Sequence, residues 1–201
     1  MSYNSTNDAK LKMPLQTAFT LLNEDEYLNW ESKQEIRHEY IAGYTFAMAG
    51  AKRAHNQISM NLISVIRPIL RGSGCHIYAS DVKLKIQSKQ TYFYPDIMLG
   101  CDKSDRGEDY LENPSLLVEI LSDSTEHIDK REKLVAYQSI NSVKEYILIA
   151  QDKVWVQIYR FHQPGSFFVE TYTNLEESLP LNTLDCVIDL IVIYEDVFLA
   201  R

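Results

Sequence analysis

The chain predicts an α/β (α+β) fold, a mixed β-sheet flanked by helices, and three observations carry that reading. Strand-like and helix-like runs follow one another as helix, hairpin, long helix, three strands, helix, strands. The periodicity switches cleanly. Lys52 to Leu70 sets Ile58, Leu62, Val65, Ile66 and Ile69 at helical spacing, whereas Tyr44, Phe46 and Met48 alternate with period two. The composition, 201 residues with 45% hydrophobic and 24% charged, is that of an ordinary globular protein with enough chain for one real core.

Taken in order, residues 1–14 are expected to be a flexible N-terminal segment ending at Pro14, and 15–201 a single domain. A short helix follows with Thr20 as N-cap and Leu21, Leu22, Tyr27 and Leu28 on its apolar side. Arg37 to Ala49 reads as a hairpin turning at Ala42-Gly43. The long helix from Lys52 is ended by Pro68 and closed by Gly72 and Gly74. Three strands are expected at Cys75–Ile86, Tyr92–Leu99 and Ser115–Leu121, then a helix capped by Ser124 or Thr125 that runs to about Ser139. Val143–Ala150 is a fully apolar strand, with Val154–Phe161 as its hairpin partner through Asp152-Lys153. Phe167–Tyr172 is a further strand, Thr183–Ile193 returns to the sheet, and Tyr194–Ala200 is a last short helix.

Bulk properties exclude several classes. No apolar run approaches the roughly 20 residues a bilayer span needs, so no membrane partner is expected. Met1 to Lys10 lack the apolar centre of a secretory signal. Cys75, Cys101 and Cys186 are scattered, odd in number and without a C-x-x-C pair, which argues against a disulfide framework and a zinc site and for a reduced, cytoplasmic protein. A net charge of −8 weighs against a generic nucleic-acid coat. Between Ala51 and Gln90, however, Lys52, Arg53, Arg67, Arg71, Lys83, Lys85 and Lys89 face one acid, Asp81. That segment reads either as a nucleic-acid-facing patch or as a solvated helix face plus a lysine-protected edge strand.

The chemistry concentrates in two places. Tyr94-Pro95-Asp96-Ile97-Met98-Leu99 and Leu116-Leu117-Val118-Glu119-Ile120-Leu121 each carry a lone carboxylate in a strand-like run, where desolvation without a partner costs several kcal/mol. On neighbouring strands Asp96 and Glu119 could share a hard cation such as Mg²⁺, with the Ile120 carbonyl as an extra ligand. In the following helix Asp129, Lys133 and Tyr137 stand at i, i+4 and i+8 on one face, making Lys133 the candidate cationic group.

Tyr94-Pro95-Asp96, Leu117-Val118-Glu119-Ile120-Leu121-Ser122, Ser124-Thr125 with Asp129, Lys133 and Tyr137, and Val143-Lys144-Glu145-Tyr146 together resemble the Uma-two family. That family is a branch of the PD-(D/E)xK, restriction-endonuclease-like superfamily. Tyr40-Ile41-Ala42-Gly43-Tyr44 with His55 is similar to the family's opening hairpin and helix, and the likeness runs from about Glu39 to Val187.

The resemblance implies a restriction-endonuclease-like core and a metal-dependent endonuclease acting on DNA. Asp96 and Glu119 would bind Mg²⁺ or Mn²⁺, Glu39 would be an accessory ligand, and Lys133 would replace the usual strand lysine, whose position is Leu121 here. Asp129, Tyr137 and His55 are accessory candidates, and Asp123 stands where the family more often has Pro. Two rivals stay open: a catalytically inactive nuclease-fold module acting in binding or assembly, and a metal-free structural Glu119–Lys133 ion pair. A homodimer is plausible through Phe167, Phe168, Tyr172, Ile191, Ile193, Tyr194 and Phe198, which could equally complete the core.

Overall fold

In the computed structural model the described residues are 21–199, apart from 106, 123–125 and 164. The expected flexible segment 1–14, the Thr20 cap, the Ser124 or Thr125 cap and Asp123 lie outside them. The first helix, α1 (Glu24–Glu31), starts one turn later than the Thr20 cap implies. Asn23 is its N-cap, and Asn23 and Glu26 form a reciprocal capping box. Tyr27 is its buried anchor, whereas Leu21 is exposed before the helix begins.

The hairpin forms as expected from β1 (His38–Ile41) and β2 (Tyr44–Ala47). Ala42 and Gly43 both take positive φ, which suits a two-residue turn to the twist of the strands. Helix α2 (Arg53–Ile69) buries Ile58, Leu62 and Ile66, and Pro68 sits in its last turn.

Two of the three expected strands are broken in the middle. Cys75–Ile86 divides into β3 (His76–Ala79) and β4 (Lys83–Ile86), because Ser80 adopts a left-handed conformation and turns the chain. Tyr92–Leu99 divides into β5 (Thr91–Phe93) and β6 (Ile97–Gly100) at Pro95, which has no N–H for a ladder. The halves enter different sheets. Antiparallel pairing of β4 with β5 and of β3 with β6 therefore ties the two sheets together at Ser80 and Asp96, where Ser80 N–H donates to the Asp96 carbonyl at 3.2 Å. Between Gly100 and Pro114, read as a loop, a short β7 (Tyr110–Leu111) pairs parallel with β4.

The five-stranded sheet runs β2-β1-β5-β4-β7. The six-stranded sheet runs β11-β10-β9-β8-β6-β3, with β8 (Pro114–Leu121), β9 (Glu145–Ala150), β10 (Val156–Gln163) and β11 (Ser166–Tyr172). It is mixed: β8 and β9 are parallel, and helix α3 connects them. This helix starts as Glu126–Ile128, passes through a π-helical turn Asp129–Lys133 and closes as Leu134–Tyr137. Alternation along β8 sends Leu116, Val118 and Ile120 into the core under α2, and Leu117 and Leu121 into the core under α3.

The C-terminal part departs from expectation. Residues 183–193 do not rejoin the sheet. A separate hairpin of β12 (Ser178–Leu181) and β13 (Cys186–Asp189) forms instead, followed by a one-turn helix α4 (Leu190–Ile193), and no helix spans Tyr194–Leu199. Ile188, Leu190 and Ile193 pack into the core under α2, which rewards the hairpin more than an added edge strand would. Arg160 on β10 holds the hairpin by ion-pairing Glu145 and donating to the Pro180 carbonyl, while Glu145 also accepts the N–H groups of Asn182 and Thr183 at 3.0 Å each. Glu145→Ala leaves that guanidinium and both amides short of their acceptor, so about 3 kcal/mol of stability should be lost in a urea titration.

Cys75 and Cys101 form a disulfide across the β3–β6 edge, with their Cα atoms 4.1 Å apart. The expectation of unpaired cysteines is corrected there, because the antiparallel register of β3 on β6 brings together residues that sequence spacing keeps apart. Cys186 remains a free thiol.

Candidate active site

The break between β5 and β6 positions Asp96, which stands outside the strands at the junction of the two sheets. Asp96 Oδ2 accepts the Ile120 N–H at 2.7 Å and lies 3.0 Å from His55 Nε2, which reaches down from the first turn of α2. Ile120 thus meets Asp96 through its amide rather than its carbonyl. Glu119, the preceding residue on β8, projects to the α3 side, and its Oε1 accepts Lys133 Nζ at 3.0 Å and the Tyr137 hydroxyl at 2.7 Å.

Lys133 is a hub. Its buried ammonium lies 3.0 Å from Glu39 Oε1 on β1 and 3.2 Å from Asp129 Oδ1 one turn earlier on α3. Only the bond to Glu119 has hydrogen-bond directionality; Glu39 Oε1 and Asp129 Oδ1 are buried without a hydrogen-bond partner. Asp129 and Lys133, four residues apart within the π-helical turn, share one face and are both buried. All eight residues anticipated from sequence therefore gather in one region: Asp96, Glu119, Ile120, Lys133, Glu39, Asp129, Tyr137 and His55.

Sequence reading missed the supports. Tyr146 on β9 donates to the Asp129 carbonyl at 3.0 Å and packs edge-on against Tyr137. Buried Glu31 accepts the Tyr94 hydroxyl at 2.9 Å and the His38 N–H at 2.8 Å, bracing the chain on either side of Asp96 and Glu39. Nothing in the acidic α1 sequence distinguished Glu31 from its solvated neighbours.

Burial, then the like charges of Asp129 and Asp96, pushes the Glu119 carboxyl well above its ordinary value against the pull of Lys133. Burial alone lowers the Lys133 ammonium, but Glu119, Glu39 and Asp129 together outweigh it and hold the group above the usual lysine range. The sign for stability follows from Glu119. The folded state binds its proton more tightly than the unfolded chain, so this contribution is complete below the ordinary carboxylate range and fades as pH rises through the raised value. Denaturation in EDTA should therefore show stability falling with rising pH above the ordinary carboxylate range, with a shallower slope in Glu119→Gln.

Three carboxylates, those of Glu39, Glu119 and Asp129, surround one ammonium, with Asp96 bonded to the neighbouring Ile120 amide, and the acidic side chains offer oxygen donors. Such a set fits a hard divalent cation, which needs only one or two protein carboxylates beside water and substrate. Among the described residues no three Asp, Glu, His or Cys side chains are disposed to cage an ion. No described helix is long and apolar enough to cross a membrane.

Comparison with known proteins fits this architecture. The Uma2 family model, described as "Putative restriction endonuclease", matches residues 24–190. An uncharacterized protein of Synechocystis sp. (slr1290) is 33% identical over 177 residues, 88% of this chain and 93% of that protein. A second (sll1609) is 33% identical over 143 residues, 70% of this chain and 81% of its own length. The crystal structure of "a putative nuclease belonging to DUF820" from Anabaena variabilis superposes with a TM-score of 0.73 at 18% identity, covering 88% of this chain and 99% of that one. At that identity it establishes the fold alone, mixed sheets flanked by helices, and the matched family model together with the relatives settles kinship: this chain belongs to the Uma2 family.

Proposed function

We propose that this protein is a metal-dependent endonuclease that hydrolyses phosphodiester bonds of DNA. One observation carries the reading: Asp96, at the junction of the two sheets, accepts the Ile120 amide next to Glu119, whose carboxylate meets a buried Lys133 that Glu39 and Asp129 also flank. Asp96 and Glu119 would hold Mg²⁺ or Mn²⁺ with the Ile120 carbonyl, and Glu39 would assist. When bound, the cation supplies charge stabilisation at the scissile phosphate. Lys133 stabilises charge building on the phosphoryl oxygens or orients the attacking water, and Asp129 positions its amine. Tyr137 fixes the Glu119 carboxylate, and His55 orients Asp96 beside the N-terminus of α2.

DNA would approach along α2, where Lys52, Arg53, Arg67 and Arg71 are exposed. The strand lysines contribute less than the sequence suggests, since Lys85 is engaged with Glu24 and Glu112. The proposed compartment is the cytoplasm, although the Cys75–Cys101 bridge removes the unpaired cysteines on which that expectation rested.

A homodimer is proposed through β11, one edge of the six-stranded sheet, which exposes Phe167, Phe168 and Val169. Ile193 and Tyr194, also expected at an interface, are buried in the core instead. Phe168→Asp should convert the dimer to monomer in sedimentation velocity.

The test of the activity is cleavage of plasmid and linear duplex DNA, with RNA alongside, in Mg²⁺, Mn²⁺ or EDTA. Cation-dependent DNA cleavage is expected. If neither cation elicits cleavage, the activity is refuted and the fold serves as a binding or assembly module.

A further inference from the structure

Resting on the metal-dependent reading above, we infer that Lys133 is a resident counter-ion that occupies the cation's place in the metal-free protein and must release Glu119 before a divalent ion binds. One oxygen each of Glu119 and Asp96 already has internal partners. Glu119 Oε1 takes both Lys133 Nζ and the Tyr137 hydroxyl, and Asp96 Oδ2 takes the Ile120 amide while His55 Nε2 stands 3.0 Å away. An ammonium within 3.0–3.2 Å of three carboxylates on three different elements sits as a bound cation does, among acids that would otherwise repel one another.

This arrangement explains why, among the described residues, so acidic a cluster contains no three side chains disposed to cage an ion. The acids are gathered around nitrogen rather than around a common vacant point. Lys133 is thereby a competitor of the metal as well as its neighbour: the Lys133–Glu119 bond and cation binding at Glu119 draw on the same carboxylate. The contrary expectation is equally concrete. If the ammonium chiefly holds the carboxylates in formation, its removal scatters them and weakens the site.

Calorimetric titration of Mn²⁺ into the parent, Lys133→Met and Tyr137→Phe, each with and without a short duplex, separates the two. Competition requires Lys133→Met to bind Mn²⁺ at least about tenfold more tightly than the parent, and Tyr137→Phe, which frees the same oxygen without changing charge, about threefold more tightly. Tyr137→Phe keeps the ring in place, so it decides the matter if Lys133→Met fails to fold. Parent binding with equal or weaker binding in the variants would overturn the counter-ion role and leave the proposed metal site standing. No binding by any of the three proteins, with or without duplex, would overturn both.

Discussion

Glu119→Gln should lower cation-dependent DNA cleavage by at least about 10³-fold, the largest effect expected of any single substitution here. The amide can still accept from Lys133 and Tyr137, so the fold has no reason to collapse, but a charged ligand beside the scissile phosphate is gone. In EDTA the variant should be more stable than the parent by about 1 kcal/mol, because burial and two neighbouring acids already oppose ionisation of Glu119. Asp96→Asn should cut as poorly while keeping its bond from the Ile120 N–H. Single-turnover cleavage and urea denaturation, run on the same preparations, read both halves of the prediction. A structural ion pair would produce the opposite stability change, a loss on Glu119→Gln. Variants that cleave like the parent would remove Asp96 and Glu119 from the chemistry altogether.

Lys133→Met should cost about 3–5 kcal/mol of stability at neutral pH in EDTA. The ammonium is the only cationic group within ion-pair distance of Glu119, Glu39 and Asp129 among the described residues, and the methionine stem fills its volume without answering their charge. The loss should shrink toward acid pH, where protonation of the carboxylates removes the repulsion, and Mn²⁺ should restore part of it. Equilibrium denaturation at pH 5 and pH 8, with and without the ion, measures all three effects. A small loss that does not change with pH would mean that the acids are solvated well enough to need no counter-ion.

Asp96 and Glu119 stood out in the sequence because each broke a local rule. A carboxylate in a run such as Leu116–Leu121 conflicts with strand burial, and a conflict of that kind marks function or a pairing. The spacing of Asp129, Lys133 and Tyr137 put them on one helix face before any fold was known. What misled was continuity. Cys75–Ile86 and Tyr92–Leu99 look like single strands by composition, yet Ser80 and Pro95 divide them between two sheets. The C-terminal apolar run was read as a returning strand because apolar content alone does not say which surface it will cover.

By itself, then, the sequence determined the kinds of element, the hairpin turn at Ala42-Gly43, the amphipathic α2 and the helix face shared by Asp129, Lys133 and Tyr137. These depend on periodicity, turn chemistry and residue type, all of which act over a few residues. Only the tertiary structure decided that Glu39 from the first hairpin reaches Lys133, that His55 faces Asp96, that Glu31 braces Tyr94 and that Cys75 meets Cys101. Those contacts join residues far apart in the chain, and they form when strand register and sheet order are set by burial of the whole core, a quantity that no local stretch of sequence contains.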